Sequence, residues 1–591
     1  MNKTSDTTKD LSLALVGSGG AGVMTAGQTL LDAAAASGYY GLMTRATGPQ
    51  IRGGEAAAIL RLSSEPVECQ DDRLDLMVAL DWNKAERFAD ELILDEDSLV
   101  IADPGEGEIP TWIRESGACC VEVPFGALTR EVRGARANTI AVGLVGRLIG
   151  LEETDVEATV RRILESKGAK LIDAARAGLE LGHSAAGDLP QRQRLADKPA
   201  QAERRWLITG NDATGLGAVR GGVRFCAAYP ITPSTEIQEW LAAHLPELGG
   251  KLIQAEDELA SINMCLGASF GGTPAMTATS GPGFSLMVEA LGLATQAEIP
   301  VVVVDVMRGG PSTGIPTRSE QSDLDIAVHG AHGDAPRLVL APNSIGDCVT
   351  TTQWAVYLAD ALQCPAVVLS DQRLGQARAA IAPPPARDWQ ANRKLADFDT
   401  DFDTDTDTDT AGYRRFADNE DGISPMALPG TAGGEYTATG LSHMESARPS
   451  ASGMDHQRQL DKRRRKLDVF DFGDDWADID GDGELVVLTW GSTTLPAREA
   501  VARMRSRGHA IRLISIRLLS PLNAEALTEA LAACRQLLIV EQSHGSQFHR
   551  YLRSRIELPT DTHLLARPGP LNIGPGEIVA AIENLDLEEV A

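Results

Sequence analysis

The chain has 591 residues, too many for a single hydrophobic core, and its size implies roughly three or four domains. A formal charge of −29 argues against a nucleic-acid partner, because neutralising phosphates needs an excess of Lys and Arg. Such acidity suits a soluble, cytoplasmic protein, and 58 Gly with only 4% aromatic residues suit α/β layers joined by Gly-rich turns.

The first ten residues are polar and hold no apolar signal core. No apolar run approaches the ~20 residues that span a membrane. The eight cysteines form no CxxC pair and mostly sit in apolar runs, so neither a zinc site nor an iron–sulfur cluster is expected in this chain, and no metal ligands are assigned.

In chain order, block one covers 11–182. It opens with the strand LSLALV, the loop GSGGAGV and the helical pattern TAGQTLLDAAAA, followed by strand-like LDLMVAL, SLVIAD and ACCVEV. Residues 183–205 read as a linker. Block two, 206–376, alternates strands (VRFCAAY, KLIQAE, AMTATS, PVVVVDVM, RLVLA, PAVVLS) with helical patterns, which predicts a doubly wound parallel sheet. Residues 377–482 read as an irregular insert containing the Asp/Thr tract DFDTDFDTDTDTDT, whose charges repel one another. Its RRRK run reads as a solvated face. Block three, 483–591, is again α/β, with strands LVVLTW, AIRLISI and RQLLIVE.

The unusual residues of block two follow its strands. VRFCAAY leads into Pro230, Ile231 and Thr232, and KLIQA leads into Glu256, Asp257 and Glu258. AMTAT leads into Ser280, Gly281, Pro282 and Gly283, and PVVVVDVM into Arg308. Open α/β sheets bind ligands at the carboxyl ends of their strands, so these groups converge on one crevice. Taken singly, each has a plainer reading: first-turn acids complementing a helix dipole, an ordinary tight turn, a surface cation.

Glu258, with Ala260 and then Gly267-Ala268, resembles the pyrimidine-binding domain of thiamine diphosphate enzymes. More narrowly, AYPITPSTE, AEDELASI and RGGPSTGIPTRSEQSDL resemble the alpha subunit of 2-oxoacid:ferredoxin oxidoreductases, a chain that, when fused to a gamma domain, resembles the 2-oxoglutarate members most. GSGGAGVMTAGQTL with GPQIRGGEAA is similar to the gamma domain of that family, and VLTWGSTTLPAREAV with IVEQSHGSQFHRYLRSRI to its transketolase C-terminal-like domain. The resemblance thus implies a fused gamma–alpha chain: a Rossmann-like domain, a thiamine diphosphate pyrimidine domain and a transketolase C-terminal-like domain. Two departures are the Asp/Thr tract and Ser543-His544 in EQSHGSQ, where the family more often has Asn.

The resemblance assigns Glu258 the contact to the aminopyrimidine N1′ of thiamine diphosphate. It places Pro230, Ile231, Ser280, Gly281, Pro282 and Gly283 around the cofactor and gives Arg308, Thr232 and Thr317 to the carboxylate of a 2-oxoacid. Apart from the resemblance, Arg318 is a second cation close by and a candidate for a distal carboxylate. The implied reaction is decarboxylation of 2-oxoglutarate to succinyl-coenzyme A with electrons passed to ferredoxin. Pyruvate or branched-chain 2-oxoacid oxidation, or another thiamine-dependent decarboxylation, is the alternative; a noncatalytic nucleotide-binding protein is the rival from another class.

Thiamine enzymes hold the diphosphate and its magnesium with a GDG segment and a downstream Asn. The sole GDG here, Gly481-Asp482-Gly483, is followed by RSRGHAIRLIS, which has no Asn. Nor is Asp478 to Thr489 a calcium loop, since Thr489 stands where a bidentate Glu is required. A separate beta subunit is therefore expected to carry the magnesium and an iron–sulfur cluster, in an α2β2 heterotetramer. Gly17, Gly19 and Gly22 satisfy GxGxxG, but no acid lies between Asp32 and Glu55 to take a ribose, so nicotinamide binding is discounted. The loop, with Gly20, either holds phosphates of coenzyme A or packs helix on strand.

Overall fold

The computed structural model describes residues 6–48, 54–82, 85–190, 193–196, 205–398 and 413–590. Residues 49–53 of the GPQIRGGEAA motif, most of the Asp/Thr tract (399–412) and most of the linker's second half lie outside the described residues. The chain forms two compact units. One comprises Met1–Gly210, Gln376–Pro383 and Leu571–Asn584; the other comprises Asn211–Gly375, Pro384–Pro570 and Leu585–Ala591.

In chain order the first unit supplies β1 (Asp10–Ser18), α1 (Val23–Ala36), β2 (Tyr40–Thr47), β3 (Glu55–Ser63), β4 (Leu76–Ala79), β5 (Leu99–Ala102), β6 (Cys119–Glu122), α2 (Ala137–Ile149), α3 (Ala169–Ala185) and β7 (Trp206–Thr209). The second unit begins with β8 (Phe225–Ala228), β9 (Lys251–Gln254), α4 (Glu258–Phe270), β10 (Ala275–Thr279), α5 (Gly281–Ala297), β11 (Val301–Met307) and α6 (Leu324–His329). It continues with β12 (Leu338–Leu340), α7 (Ile345–Leu362) and β13 (Pro365–Asp371), after which β14 (Arg378–Ile381) belongs to the first unit. The second unit then adds α8 (Gly453–Asp468), β15 (Ala477–Asp480), β16 (Leu485–Trp490), α9 (Thr494–Ser506), β17 (Ile511–Ile516), β18 (Leu518–Ser520), β19 (Gln536–Glu541) and β20 (Thr562–Ala566).

The first unit's large sheet runs β6-β5-β4-β1-β3-β2-β14-β7. Its β1, β4, β5 and β6 pair in parallel, as expected for a Rossmann-like domain, whereas β3 pairs antiparallel with both β1 and β2. The sequence reading named neither β2 nor β3. All nine residues of β3 are buried, so it carries no apolar–polar alternation to reveal it.

The second unit holds the sheet β9-β8-β10-β11-β13-β12-β18, parallel except for its last pair. β11 and β13 are buried at every position, the mark of a sheet covered on both faces. Block three forms a further sheet, β15-β17-β16-β19-β20. One hydrophobic core, from Ala218 to Leu552, includes residues of both these sheets. Between them the insert is more ordered than its composition suggests. Ser452 caps α8 by accepting from the Asp455 amide.

The RRRK run lies on α8 and corrects half of its reading as a solvated face: Arg464 is exposed and Arg465 half-buried, as read, but Arg463 and Lys466 are not. Lys462, Arg463 and Lys466 are buried. Lys462 and Lys466 donate to the two carboxylate oxygens of Glu298 at 2.6 and 3.0 Å. Glu298 occupies the αL cap of α5, where cations complement the helix's negative end. The tertiary partner, which local composition does not reveal, put these charges inside.

Candidate active site

All four strand-end segments singled out in block two follow adjacent strands of one sheet, at its carboxyl edge. The three consecutive acids after β9 divide their duties. Glu256 and Asp257 are exposed, and Asp257 caps α4 by accepting from the Ala260 amide at 2.7 Å. Glu258, first residue of the helix, turns inward and is buried. It packs on the turn that opens α5, where a Cβ added to Gly283 would fall 2.5 Å from Glu258 Oε1 and also strike the Thr279 hydroxyl. Only glycine leaves this space, so the SGPG turn is shaped around the carboxylate.

Ser280 precedes α5 in extended backbone but does not cap it, and its buried Oγ has no hydrogen-bond partner among the described residues. An unpartnered buried hydroxyl is costly in the free protein and is a group to which a ligand adds something. Pro282 fits the first turn of α5, where no amide donor is needed.

Arg308 follows β11 and is buried, and its Nη1 donates to the Thr232 carbonyl oxygen at 2.6 Å. This bond joins the β8 and β11 ends across β10. Arg308 Nε is buried without a partner. Burial lowers the guanidinium pKa, and the charges of Asp305 and Asp323 work the other way. The loop beyond folds back: Gly309 N donates to Arg318 O at 3.0 Å and Ile315 N to Gly309 O at 2.8 Å. Gly314 has φ +50°, and a Cβ there would strike the Gly309 carbonyl. The fold-back returns half-buried Thr317 and Arg318 to the neighbourhood of Gly309.

Block three clamps the same loop. Gln542 N donates to Gln321 Oε1 and Gln321 N to Gln542 O, both at 2.8 Å, and Gln547 Nε2 donates to Ser322 O at 2.7 Å. Thus the EQSHGSQ segment, where Ser543-His544 depart from the family pattern, holds the loop that follows Arg308.

In the first unit, the loop after β1 divides likewise. A Cβ on Gly17 would meet Val23 at 2.9 Å, Gly19 N donates to Gly54 O at 2.6 Å, and Gly22 has φ +78° with Asn138 against it. Gly20 has open space beside it. Gly20 and Gly22 line a cavity of about 510 Å³ that also includes Thr25, Arg136, Asn138 and Lys167.

Residues 216–459 match a family model described as pyruvate flavodoxin/ferredoxin oxidoreductase, thiamine diphosphate-binding, and residues 12–185 match one described as pyruvate ferredoxin/flavodoxin oxidoreductase. A Sulfolobus 2-oxoacid:ferredoxin oxidoreductase subunit alpha is 30% identical over 91% of each chain. The chain belongs to this family of 2-oxoacid:ferredoxin oxidoreductase alpha subunits. The 2-oxoglutarate synthase subunit KorA of Methanothermobacter marburgensis is 36% identical over 64% of this chain and 98% of its own. The solved 2-oxoglutarate:ferredoxin oxidoreductase of Magnetococcus marinus, with 2-oxoglutarate, coenzyme A and succinyl-CoA bound, is 34% identical, with a TM-score of 0.89 over 98% of this chain and 99% of that one.

Sequence reading missed two members of this alpha subunit's site region, Asp305 and Asp323. Asp305 is the only polar residue in VVVVDVM, a signal that was present. Asp323, just before α6, is an unremarkable acid until the fold sets it beside Asp305 and Gly281.

Proposed function

We propose that this alpha subunit supplies the pyrimidine-binding half of a thiamine diphosphate site that decarboxylates 2-oxoglutarate oxidatively, forming succinyl-coenzyme A and passing electrons to ferredoxin through a partner subunit. The observation that carries the reading is the buried carboxylate of Glu258, seated on the SGPG turn at the sheet edge that also bears Arg308. The residues fit the cofactor: a buried acid for the pyrimidine ring, an unpartnered Ser280 hydroxyl, and glycines where a Cβ would fill the space. When bound, thiamine diphosphate supplies a carbon nucleophile and an electron sink for the bonding pair released on loss of carbon dioxide.

Within that site Glu258 would accept a hydrogen bond from the ring nitrogen N1′ and so fix the ring's tautomer. Pro230, Ile231, Ser280, Gly281, Pro282 and Gly283 shape the cofactor's seat. Arg308, with Thr232 and Thr317, grips the reacting carboxylate; Arg318 answers the distal one. A guanidinium suits this because its planar fork makes paired hydrogen bonds to a carboxylate. Arg136 and Lys167, with the Gly20–Gly22 backbone at the start of α1, suit the phosphates of coenzyme A.

The beta partner is assigned the diphosphate, magnesium and iron–sulfur cluster, with the holoenzyme an α2β2 heterotetramer in the cytoplasm. Tyr229, Leu259, Met264, Leu286 and Ile315 are exposed apolar side chains on the segments that carry the site, which supports a covering partner. Among the described residues, no helix is long and apolar enough to cross a membrane. The substrate assignment draws on the Magnetococcus enzyme and the KorA relatives. The test is to reconstitute the alpha–beta pair and assay 2-oxoglutarate, pyruvate and branched-chain 2-oxoacids with coenzyme A and ferredoxin. The highest kcat/KM is expected for 2-oxoglutarate; a higher value for another 2-oxoacid would replace the assignment, and no turnover of any would overturn the reaction class.

A further inference from the structure

Two acids near Arg308 are unused by the mechanism above. Asp305, in β11, is fully buried, and among the described residues neither of its carboxyl oxygens has a hydrogen-bond donor. Asp323 is half-buried, but its Oδ2 is enclosed and likewise lacks a donor. A Cβ on Gly281 would fall 2.6 Å from that oxygen, so the acid lies against the opening turn of α5. The pair is held at one place: Asp305 on β11 is the register partner of Thr279 on β10, Asp323 lies against Gly281 two residues beyond, and each carboxyl acts on the other's pKa as a hydrogen-bonding neighbour. Two ionised carboxylates have no proton with which to make such a bond, and their repulsion in a buried place would be severe.

The other charged groups facing the pair are Arg308, from the end of β11, and Glu320, from the loop before α6. Glu320 lies beside Gly309, and the Gly310 amide and His544 of block three oppose the rise that burial gives its carboxyl. Burial pushes both aspartates up. Asp323 raises Asp305 further, while Arg308 opposes the rise in each. Arg308 closes on neither acid: its bond goes to the Thr232 carbonyl, and its buried Nε stays unpartnered. An ionised carboxylate with no other donor would be drawn into a salt bridge with that guanidinium.

Resting on the substrate role proposed for Arg308, we infer that Asp305 and Asp323 share a single proton and serve as positioning residues that keep Arg308 open for the 2-oxoacid carboxylate. Each acid occupies the other through the shared proton. With one removed, the survivor is a lone buried anion beside Arg308 and competes with substrate for it.

The test compares wild type, D305N, D305A and R308A in the reconstituted holoenzyme with 2-oxoglutarate. An amide at position 305 still donates to Asp323, so D305N rescues what D305A loses. D305A is expected to raise KM roughly tenfold with a smaller change in kcat, and D305N to stay several-fold below D305A. Equal KM values in D305N and D305A, whether both raised or both unchanged, would overturn proton sharing. An infrared difference spectrum of wild type minus D305N at neutral pH should carry a carboxylic-acid carbonyl band. Its absence would also overturn the inference, and this holds even if D305A fails to fold. R308A separates the two readings: an unchanged KM there would remove the substrate role of Arg308. A raised KM, with D305N matching D305A, would remove proton sharing alone.

Discussion

The two ends of α5 hold buried charge in opposite ways. At its carboxyl end Glu298 is fully buried, and both its oxygens are answered by Lys462 and Lys466; the Glu298 carbonyl accepts from Arg415 at 2.9 Å. At its amino end, among the described residues, the Ser280 hydroxyl and Arg308 Nε have no partner and no cation closes on Asp305 or Asp323. Burying a charge is tolerable when it is paired, and the Lys462–Glu298–Lys466 cluster ties the insert to the pyrimidine domain in that way. Leaving groups unpaired costs stability, and a protein tolerates the cost where a ligand completes the set. One end of the helix therefore serves the fold, and the other the chemistry.

This contrast breaks if changes at either end have the wrong kind of effect. The largest effect is expected for Glu258→Gln, which should lower kcat about 10²–10⁴-fold with an unchanged unfolding midpoint. Asp257→Ala, which removes only a helix cap, should cost about 1 kcal/mol of stability and little turnover. Steady-state kinetics and urea unfolding of both variants check this pair. Next comes Glu298→Gln, which leaves two buried lysines without a counter-charge and should cost about 3–5 kcal/mol in urea unfolding while folded enzyme keeps its kcat/KM. Arg308→Ala should raise KM for the 2-oxoacid on the order of tens-fold with little loss of stability.

A pH series sharpens the comparison further. Burial alone would raise the Glu298 carboxyl, but Lys462, Lys466 and Arg415 hold it well below the ordinary 4.5. A depressed carboxylate contributes stability that is complete above its ordinary value and is lost as pH falls below it. Wild type should therefore lose stability on acidification through that range, and Glu298→Gln should lose less. Lys462, pushed down to about 8 by burial against the opposing charge of Glu298, adds a second limb of the same sign at higher pH. Below 10.5 the unfolded chain takes up a proton that the folded chain refuses until about 8, so stability from this group rises with pH between the two. The smallest effect is expected for Ser280→Ala. Removing an unpartnered hydroxyl should leave stability within about 1 kcal/mol, while thiamine diphosphate affinity falls in a titration of the holoenzyme.

Much of the site region could be read directly from the chain. Strand-end segments in a parallel sheet lie on one edge whatever the side chains do, so Glu258, Ser280 and Arg308 were brought to one edge by alternation of strand and helix alone. What local pattern could not assign was the direction of a side chain. Glu256, Asp257 and Glu258 are equivalent as a run of acids, and only packing against Gly283 distinguishes the third. The RRRK run and the acid in VVVVDVM pose the same difficulty, since a charge reads as solvated unless its distant partner is known.

The sequence by itself determined the α/β class, the family and the edge of the sheet where the chemistry sits, because periodicity and motif spacing are local and survive without knowledge of contacts. Tertiary structure alone decided which charges are paired. Glu298 meets Lys462 across 164 residues of chain and Arg308 meets the Thr232 carbonyl across 76, while Asp305 meets Asp323 between β11 and the start of α6. Coulomb and hydrogen-bond energies depend on distance in space and on burial, and neither follows from position along the chain.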